Sequence, residues 1–117
     1  MLATTSPPLV LASSSRYRRE LLQRLTPCFS SESPDIDESP RAGETIAELT
    51  ARLATEKARA LADKYPAHLI IGSDQSAAID GHQLEKPGNH ERAFTQLTRL
   101  SGRTVTFHTA VAVFDSR

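Results

Sequence analysis

The sequence predicts an α/β fold, a mixed and partly parallel sheet flanked by helices. Two short continuous apolar runs, Leu9-Val10-Leu11-Ala12 and Leu69-Ile70-Ile71, read as strands covered on both faces. Segments with helical spacing separate these runs, and an alternating stretch from Val105 to Phe114 reads as a longer strand. The resulting order is strand, helix, loop, helix, strand, hairpin, helix, strand, the alternation that builds α/β sheets.

Taken in order, residues 1–8 are polar, end in Pro7-Pro8 and are expected to form a disordered leader. The first strand breaks at Ser13-Ser14-Ser15. A helix follows with Leu21, Leu22 and Leu25 as its inner stripe, and Pro27 ends it. Residues 29–44 hold Pro34, Pro40, Gly43 and several acids, which predicts an extended loop with at most one edge strand. Thr45 and Glu48 make a capping box for a second helix that runs to about Tyr65, before Pro66. The strand at Leu69 is expected to stop at Gly72-Ser73-Asp74. Asp80-Gly81 marks a hairpin between Ala77-Ala78-Ile79 and the segment near Leu84. A third helix starts near Asn89 with Ala93, Leu97 and Leu100 inward, and Gly102 closes it. The sequence stops just after a strand, so the fold is expected to be incomplete. A sheet cut there bares an apolar face and an unpaired edge, which predicts a homodimer.

With 117 residues there is room for one compact domain and not for two. Lys plus Arg and Asp plus Glu both total 14, and this balance gives no support to a general nucleic-acid binder. No apolar run approaches the ~18 residues of a membrane span, and Met1 to Pro8 lacks the basic and apolar regions of a secretory signal. A cytoplasmic enzyme without membrane or nucleic-acid partners is the expectation. Cys28 alone cannot form an internal disulfide and reads as a small, half-buried loop residue. His68, His82, His90 and His108 are scattered without ligand spacing and read as structural or surface residues.

Five places concentrate chemistry. Ser13, Ser14 and Ser15 with Arg16, Arg18 and Arg19 lie where a strand gives way to a helix. Ligands bind at the carboxyl ends of strands in such sheets, and a helix N-terminus favours anions. Arginine is unfavourable there unless an anion accompanies it, so the alternatives are a phosphate site or a solvated helix start with serine caps. Lys57 lies inside the apolar stripe of Ile46, Leu49, Leu53 and Ala60, where a lysine must snorkel or meet a negative partner such as a polyphosphate. Asp74, at a strand end, serves as general base, as metal ligand or as a turn cap. Asp35-Ile36-Asp37-Glu38 could gather oxygen ligands for Mg²⁺ or be a solvated acidic loop. Lys86 sits on the rigid turn Glu85-Lys86-Pro87-Gly88.

In this order, Leu-Ala-Ser-x-Ser-x-x-Arg-Arg, Asp-Glu, a helix with Lys-Ala, Gly-Ser-Asp, Lys-Pro and Ser-Gly-Arg-Thr, the set resembles the Maf family of nucleotide pyrophosphatases across residues 9–114. The resemblance implies a Maf and inosine triphosphate pyrophosphatase-like fold, of which residues 9–117 are the N-terminal part of a single domain. It implies hydrolysis of a nucleoside triphosphate to monophosphate and pyrophosphate with Mg²⁺ or Mn²⁺. Gln75, Tyr17 and the string Val105-Thr106-Phe107 are similar to the branch that acts on 7-methyl-GTP. By the same resemblance Asp74 is the proton acceptor and a metal ligand with Glu38. Ser13, Arg18, Lys57 and Lys86 hold phosphates, while Tyr17 and Gln75 face the base. A methylated guanine is cationic, so an aromatic such as Tyr17 offers a cation–π partner worth ~0.5–2 kcal/mol. Departures from the family pattern are Arg16 for a proline, Glu85 and Ala110 for glycines, and the absence of the family's C-terminal part.

Overall fold

The computed structural model describes residues 7–84 and 89–117. Its elements are β1 (Leu9–Ala12), α1 (Arg16–Gln23), β2 (Ser30–Glu32), α2 (Ile46–Ala60), β3 (Leu69–Ile79), β4 (His82–Gln83), α3 (His90–Leu100) and β5 (Thr106–Asp115). β2, β1 and β3 run parallel, while β4 and β5 pair antiparallel with β3. The mixed, partly parallel sheet expected from the element order is therefore present. Among the described residues no helix is long and apolar enough to cross a membrane.

One face of the sheet carries the core. The apolar run of β1 puts Val10 and Ala12 against Ile70 of β3 and Ala58 and Leu61 of the second helix and its end, with Tyr65 and Phe114 at the margin. α2 begins with the expected capping box: Thr45 Oγ1 accepts from Glu48 N and Glu48 Oε1 accepts from Thr45 N, each at 3.1 Å. Its buried residues are Leu49, Thr50, Leu53, Ala54 and Ala58. The helix ends at Ala60 rather than near Tyr65. Hydrogen-bonded turns carry the chain on, with Tyr65 N donating to Leu61 O at 2.9 Å, and Ala58 replaces the exposed Ala60 in the inner stripe.

The sheet's other face is only partly covered. Phe107, Val111 and Val113 of β5 are exposed there. α1 approaches it across a hollow of about 220 Å³ lined by Leu11, Leu21, Leu22, Leu25, Ile71 and Val111. The expected inner stripe of α1 is thus not buried. The helix stops at Gln23, before Leu25, and both Leu21 and Leu25 stay exposed. In α3, Ala93 and Leu100 are half-buried as expected, but Leu97 is exposed and Gln96 is half-buried beside it. Cys28 is exposed in the connection from α1 to β2, not half-buried.

The strand at Leu69 does not stop at Gly72-Ser73-Asp74. It continues to Ile79 as a single eleven-residue strand. The reason is the role of Gly72, which is a close-approach glycine and not a breaker. A Cβ there would lie 2.0 Å from Ala54 O and 2.8 Å from Ala58 N, so α2's backbone rests directly on β3. The hairpin turn falls where expected: Asp80 (φ 51°) and Gly81 (φ 78°) both adopt the left-handed conformation of a two-residue hairpin loop.

The pairing pattern leaves a gap. β5 lies along one edge of β3 from Leu69 to Ala78, so β1 and β4 share the other edge. β1 reaches only to Gly72 and β4 begins at Ala78, so on this edge the stretch between them has no strand partner among the described residues. The guanidinium of Arg18 and the N–H of Leu84 cover the Ser73 and Ala77 carbonyls at its two ends, at 3.2 and 2.8 Å. Gly72→Ala should therefore push α2 off the sheet. Urea unfolding should show a loss of ~2–3 kcal/mol, at the upper end of ordinary overpacking, and a loss below ~0.5 kcal/mol would contradict the close contact.

Candidate functional site

The gap in β3 opens into a polar cleft of about 580 Å³ whose lining includes Ser13, Arg18, Glu38, Lys57, Asp74 and Gln75. Three chain segments and one helix build it. The first is the turn after β1. Ser13 N donates to Leu11 O at 3.0 Å, Ser13 Oγ accepts from Ser15 N at 3.0 Å, and Ser15 Oγ caps α1 through Arg18 N at 3.2 Å. This tight turn buries Ser13 at the cleft floor and aims Arg18 across to β3. The rest of the basic cluster goes elsewhere: Arg16 pairs with Glu20 on the outer surface of α1, and Arg19 is exposed.

The second segment is β3 itself. Because Gly72 sets Ala54 and Ala58 of α2 against the strand, the next residue on that face, Asp74, meets the side chain of Lys57, which lies between them in the helix. Lys57 Nζ lies 3.0 Å from Asp74 Oδ1 and 3.0 Å from Glu38 Oε1. The lysine and aspartate side chains are only 12% and 10% exposed, whereas Glu38 is 57% exposed at the cleft mouth. The lysine in the apolar stripe thus does not snorkel out to solvent. Its ammonium is placed between two carboxylates, which offsets a desolvation cost of several kcal/mol per ion. Asp74 lies in mid-strand instead of at a strand end. The sequence-based expectation nevertheless keeps its geometric content, because Asp74 is two residues past the last β1 partner and sits at the carboxyl edge of the parallel sheet.

The third segment is the loop from β2 to α2. Of its acidic run only Glu38 lines the cleft. Asp37 Oδ1 instead accepts from Ser39 N at 3.0 Å and Ser39 Oγ at 2.6 Å, which folds the loop on itself and holds the Asp37 carboxyl below its ordinary range. Among the described residues no group of three or more His, Cys, Asp and Glu side chains could hold a metal by itself. Two carboxylates that converge on one cation position do fit a hard divalent ion such as Mg²⁺. That ion is ordinarily held by one or two carboxylates plus substrate phosphates.

Gln75 points to the opposite side of β3, where its Nε2 donates to Thr109 Oγ1 at 3.0 Å, and it lines both the cleft and an adjoining hollow. That hollow, about 710 Å³, is more apolar, and Phe107, Leu97, Gln83 and Ser76 also line it. Gln83 and Ser76 border both spaces but drew no notice in the sequence, because a single glutamine and a single serine carry no pattern. Tyr17 is 70% exposed on the first turn of α1 and lies outside the residues that line the cleft. Lys86 lies outside the described residues. The structure therefore brings Ser13, Arg18, Glu38, Lys57, Asp74 and Gln75 together and does not bring Tyr17 to them.

Comparison with known proteins adds an independent finding. The family described as "Maf-like protein" matches residues 8–117. The chain is 57% identical over 109 residues to the "7-methyl-GTP pyrophosphatase" of Bordetella pertussis, covering 93% of this chain and 55% of that protein. It is 59% identical over 110 residues to the protein of the same name from Pseudomonas aeruginosa, covering 94% and 57%. A third protein of that name, from Burkholderia orbicola, is 57% identical over 114 residues, covering 95% and 54%. The chain spans about half the length of the curated relatives it matches.

The ion cluster makes a direct prediction. Lys57→Met should leave Asp74 without its partner and lower stability at neutral pH by ~2–3 kcal/mol, somewhat less than for a fully enclosed pair. Adding Asp74→Asn to Lys57→Met should recover most of that loss, because the uncompensated charge is gone. Urea unfolding of the single and double variants decides it, and additive losses would mean that the two side chains do not interact.

Proposed function

The chain belongs to the Maf-like protein family, and from that membership and the chemistry of the cleft we propose that it is part of a nucleoside triphosphate pyrophosphatase acting on 7-methyl-GTP or a closely related nucleotide. The observation that carries this reading is the pairing of Lys57 with Asp74 and Glu38 beside Arg18 and Ser13. Such a site offers fixed positive charge for phosphates and a shielded carboxylate for a proton. The names borne by the Bordetella and Pseudomonas relatives support the choice of substrate.

In this proposal the triphosphate lies along the free edge of β3, where Arg18 and Lys57 bind its oxygens and Ser13 hydrogen-bonds to it. Lys86 is proposed as a further phosphate ligand on the strength of the sequence resemblance alone. Lys57 engages one oxygen of Asp74, and the Asp74 carboxylate takes the proton of a water placed against the α-phosphorus. The new bond joins that water oxygen to the α-phosphorus. The bond to the oxygen bridging the α- and β-phosphorus breaks, and pyrophosphate carries away the electron pair. Mg²⁺ or Mn²⁺, held by Glu38 and Asp74, would supply charge neutralisation on the phosphate oxygens when bound. Lys57 occupies only Oδ1 of Asp74, which leaves Oδ2 for the water proton, and a phosphate arriving at the Lys57 ammonium would compete with that contact.

Gln75 is proposed to read the base from the far side of β3. Tyr17 is proposed to stack on it from the first turn of α1, which requires the exposed ring to swing toward the cleft. The cytoplasm is the proposed place of the reaction.

A screen of nucleoside triphosphates, methylated ones included, for pyrophosphate release tests the function, and 7-methyl-GTP should give the largest kcat/KM. Asp74→Asn should lower kcat by ~10²–10⁴ while nucleotide affinity changes by only a few-fold, as for a lost general base. Orthophosphate as the released product, or normal turnover in Asp74→Asn, would contradict the assignment.

A further inference from the structure

Glu38 poses a mechanical problem. It is the most exposed member of the ion cluster and sits on a loop of residues 33–45 that has neither strand nor helix. A carboxylate on such a loop would ordinarily sample many positions, at a cost in ordering entropy each time it met a ligand. The loop itself is fastened by Arg52, on the same helix as Lys57.

Arg52 is 15% exposed, and its guanidinium donates in three directions. Nε and Nη2 form a fork on Glu44, at 2.6 Å to Oε2 and 2.9 Å to Oε1. Nη1 donates to Glu56 at 2.8 Å, and Nη2 also donates to the backbone carbonyl of Ser39 at 3.0 Å. Ser39 is the residue next to Glu38. Its carbonyl is therefore tied to α2 while its N–H and hydroxyl are tied to Asp37. Glu44 takes the N–H of Arg41 at 3.1 Å, and Arg41 Nη2 lies 3.5 Å from Glu56. The loop is thus fastened on both sides of its bend to the helix that carries Lys57.

We propose that Arg52 is a positioning residue of the site, which holds the Ser39 carbonyl and Glu44 so that Glu38 is fixed beside Lys57 and Asp74 to meet the same divalent cation. This inference rests on the reading of Glu38 and Asp74 as cation ligands. The planar fork explains why arginine occupies the position, since a lysine cannot hold a carboxylate at two points and a carbonyl at a third. The hydrogen bonds from Arg52 hold the Glu44 carboxyl at about 2, below its ordinary 4.5. Because this folded value is depressed, the stabilisation from the fork is complete above about 4.5 and declines as pH falls from there through about 2. The clamp is therefore fully formed throughout the range in which hydrolysis would be assayed.

The test is Mn²⁺ binding, read from the loss of the free-ion electron paramagnetic resonance signal, with no nucleotide and no turnover involved. Arg52→Met should weaken Mn²⁺ binding about 10-fold, and Glu38→Gln should weaken it at least as much. In the Glu38→Gln background Arg52→Met should have almost no further effect, because Arg52 acts only through Glu38. Glu44→Gln, which keeps Arg52 and its bonds to Glu56 and Ser39, should weaken binding by a smaller factor with the same lack of additivity. It also serves as the informative variant in the event that Arg52→Met does not fold. An equal weakening by Arg52→Met with and without Glu38 would overturn the positioning role, as would unchanged Mn²⁺ binding in Arg52→Met or Glu44→Gln proteins that unfold more easily. Undiminished Mn²⁺ binding in Glu38→Gln would instead remove the cation reading beneath it.

Discussion

The contact on which the site depends is that between the backbone of α2 and Gly72 of β3. With no side chain between them, helix and strand approach until Ala54 O and Ala58 N occupy the space that a Cβ would fill. Three consequences follow from this one approach. The helix axis is fixed relative to the strand. Asp74, two residues along the same face, then comes within hydrogen-bond reach of Lys57. The loop that carries Glu38, tied to α2 through Arg52 and the Ser39 carbonyl, is brought to the strand together with the helix. A larger residue at position 72 would separate all three relationships at once, without touching any charged group.

The second organising feature is the interruption in strand pairing along β3. An unpaired strand edge is normally a liability, since it offers free carbonyls and N–H groups to other chains. Here the edge between Gly72 and Ala78 is bounded by β1 and β4 and covered at its ends by Arg18 and Leu84. Interrupting the sheet there gives access from one cleft to side chains on both of its faces: Asp74 and Ser76 toward α2, and Gln75 toward the opposite side. A continuous sheet would separate those faces by its own thickness. In the proposed function that access would let the charged groups and Gln75 share one ligand, anionic at one end and a flat ring at the other.

Much of this was legible in the residues. Local signals were reliable where the chemistry is local: the capping box at Thr45 and Glu48, the Asp80-Gly81 turn, the apolar run of β1 and the alternation of β5 all lie where they were expected. The misplaced end of the strand at Gly72 shows the limit. A glycine in a strand reads equally as a breaker and as a point of close approach, and only the position of a helix whose contacting residues lie 14 and 18 residues upstream distinguishes them. The same limit applies to the charges. Lys57 could be recognised as a lysine in an apolar stripe, but its two carboxylate partners lie 19 residues before it and 17 after it, beyond any local pattern. Arg52 offered only an i,i+4 pair with Glu56, which does not reveal its bonds to Glu44 and Ser39, and the division of labour within Asp35-Ile36-Asp37-Glu38, where one carboxylate folds the loop and another faces the cleft, carries no pattern at all. The inner stripes assigned to α1 and α3 held only in part, with Leu21, Leu25 and Leu97 exposed, because periodicity identifies an apolar face without showing what covers it.

The central claim is that the interrupted edge of β3, with the Lys57 cluster beside it, is where a nucleotide binds. A nuclear magnetic resonance titration of the isotope-labelled chain with 7-methyl-GTP in the presence of Mg²⁺ tests this most directly. Backbone shifts should change first at Ser13 to Arg18, Glu38, Lys57 and Ser73 to Ala77, with the Lys57 ammonium resonance moving as Asp74 is exchanged for phosphate. Changes confined to α3 and the exposed face of β5, with the Lys57 and Asp74 resonances unmoved at saturation, would contradict it.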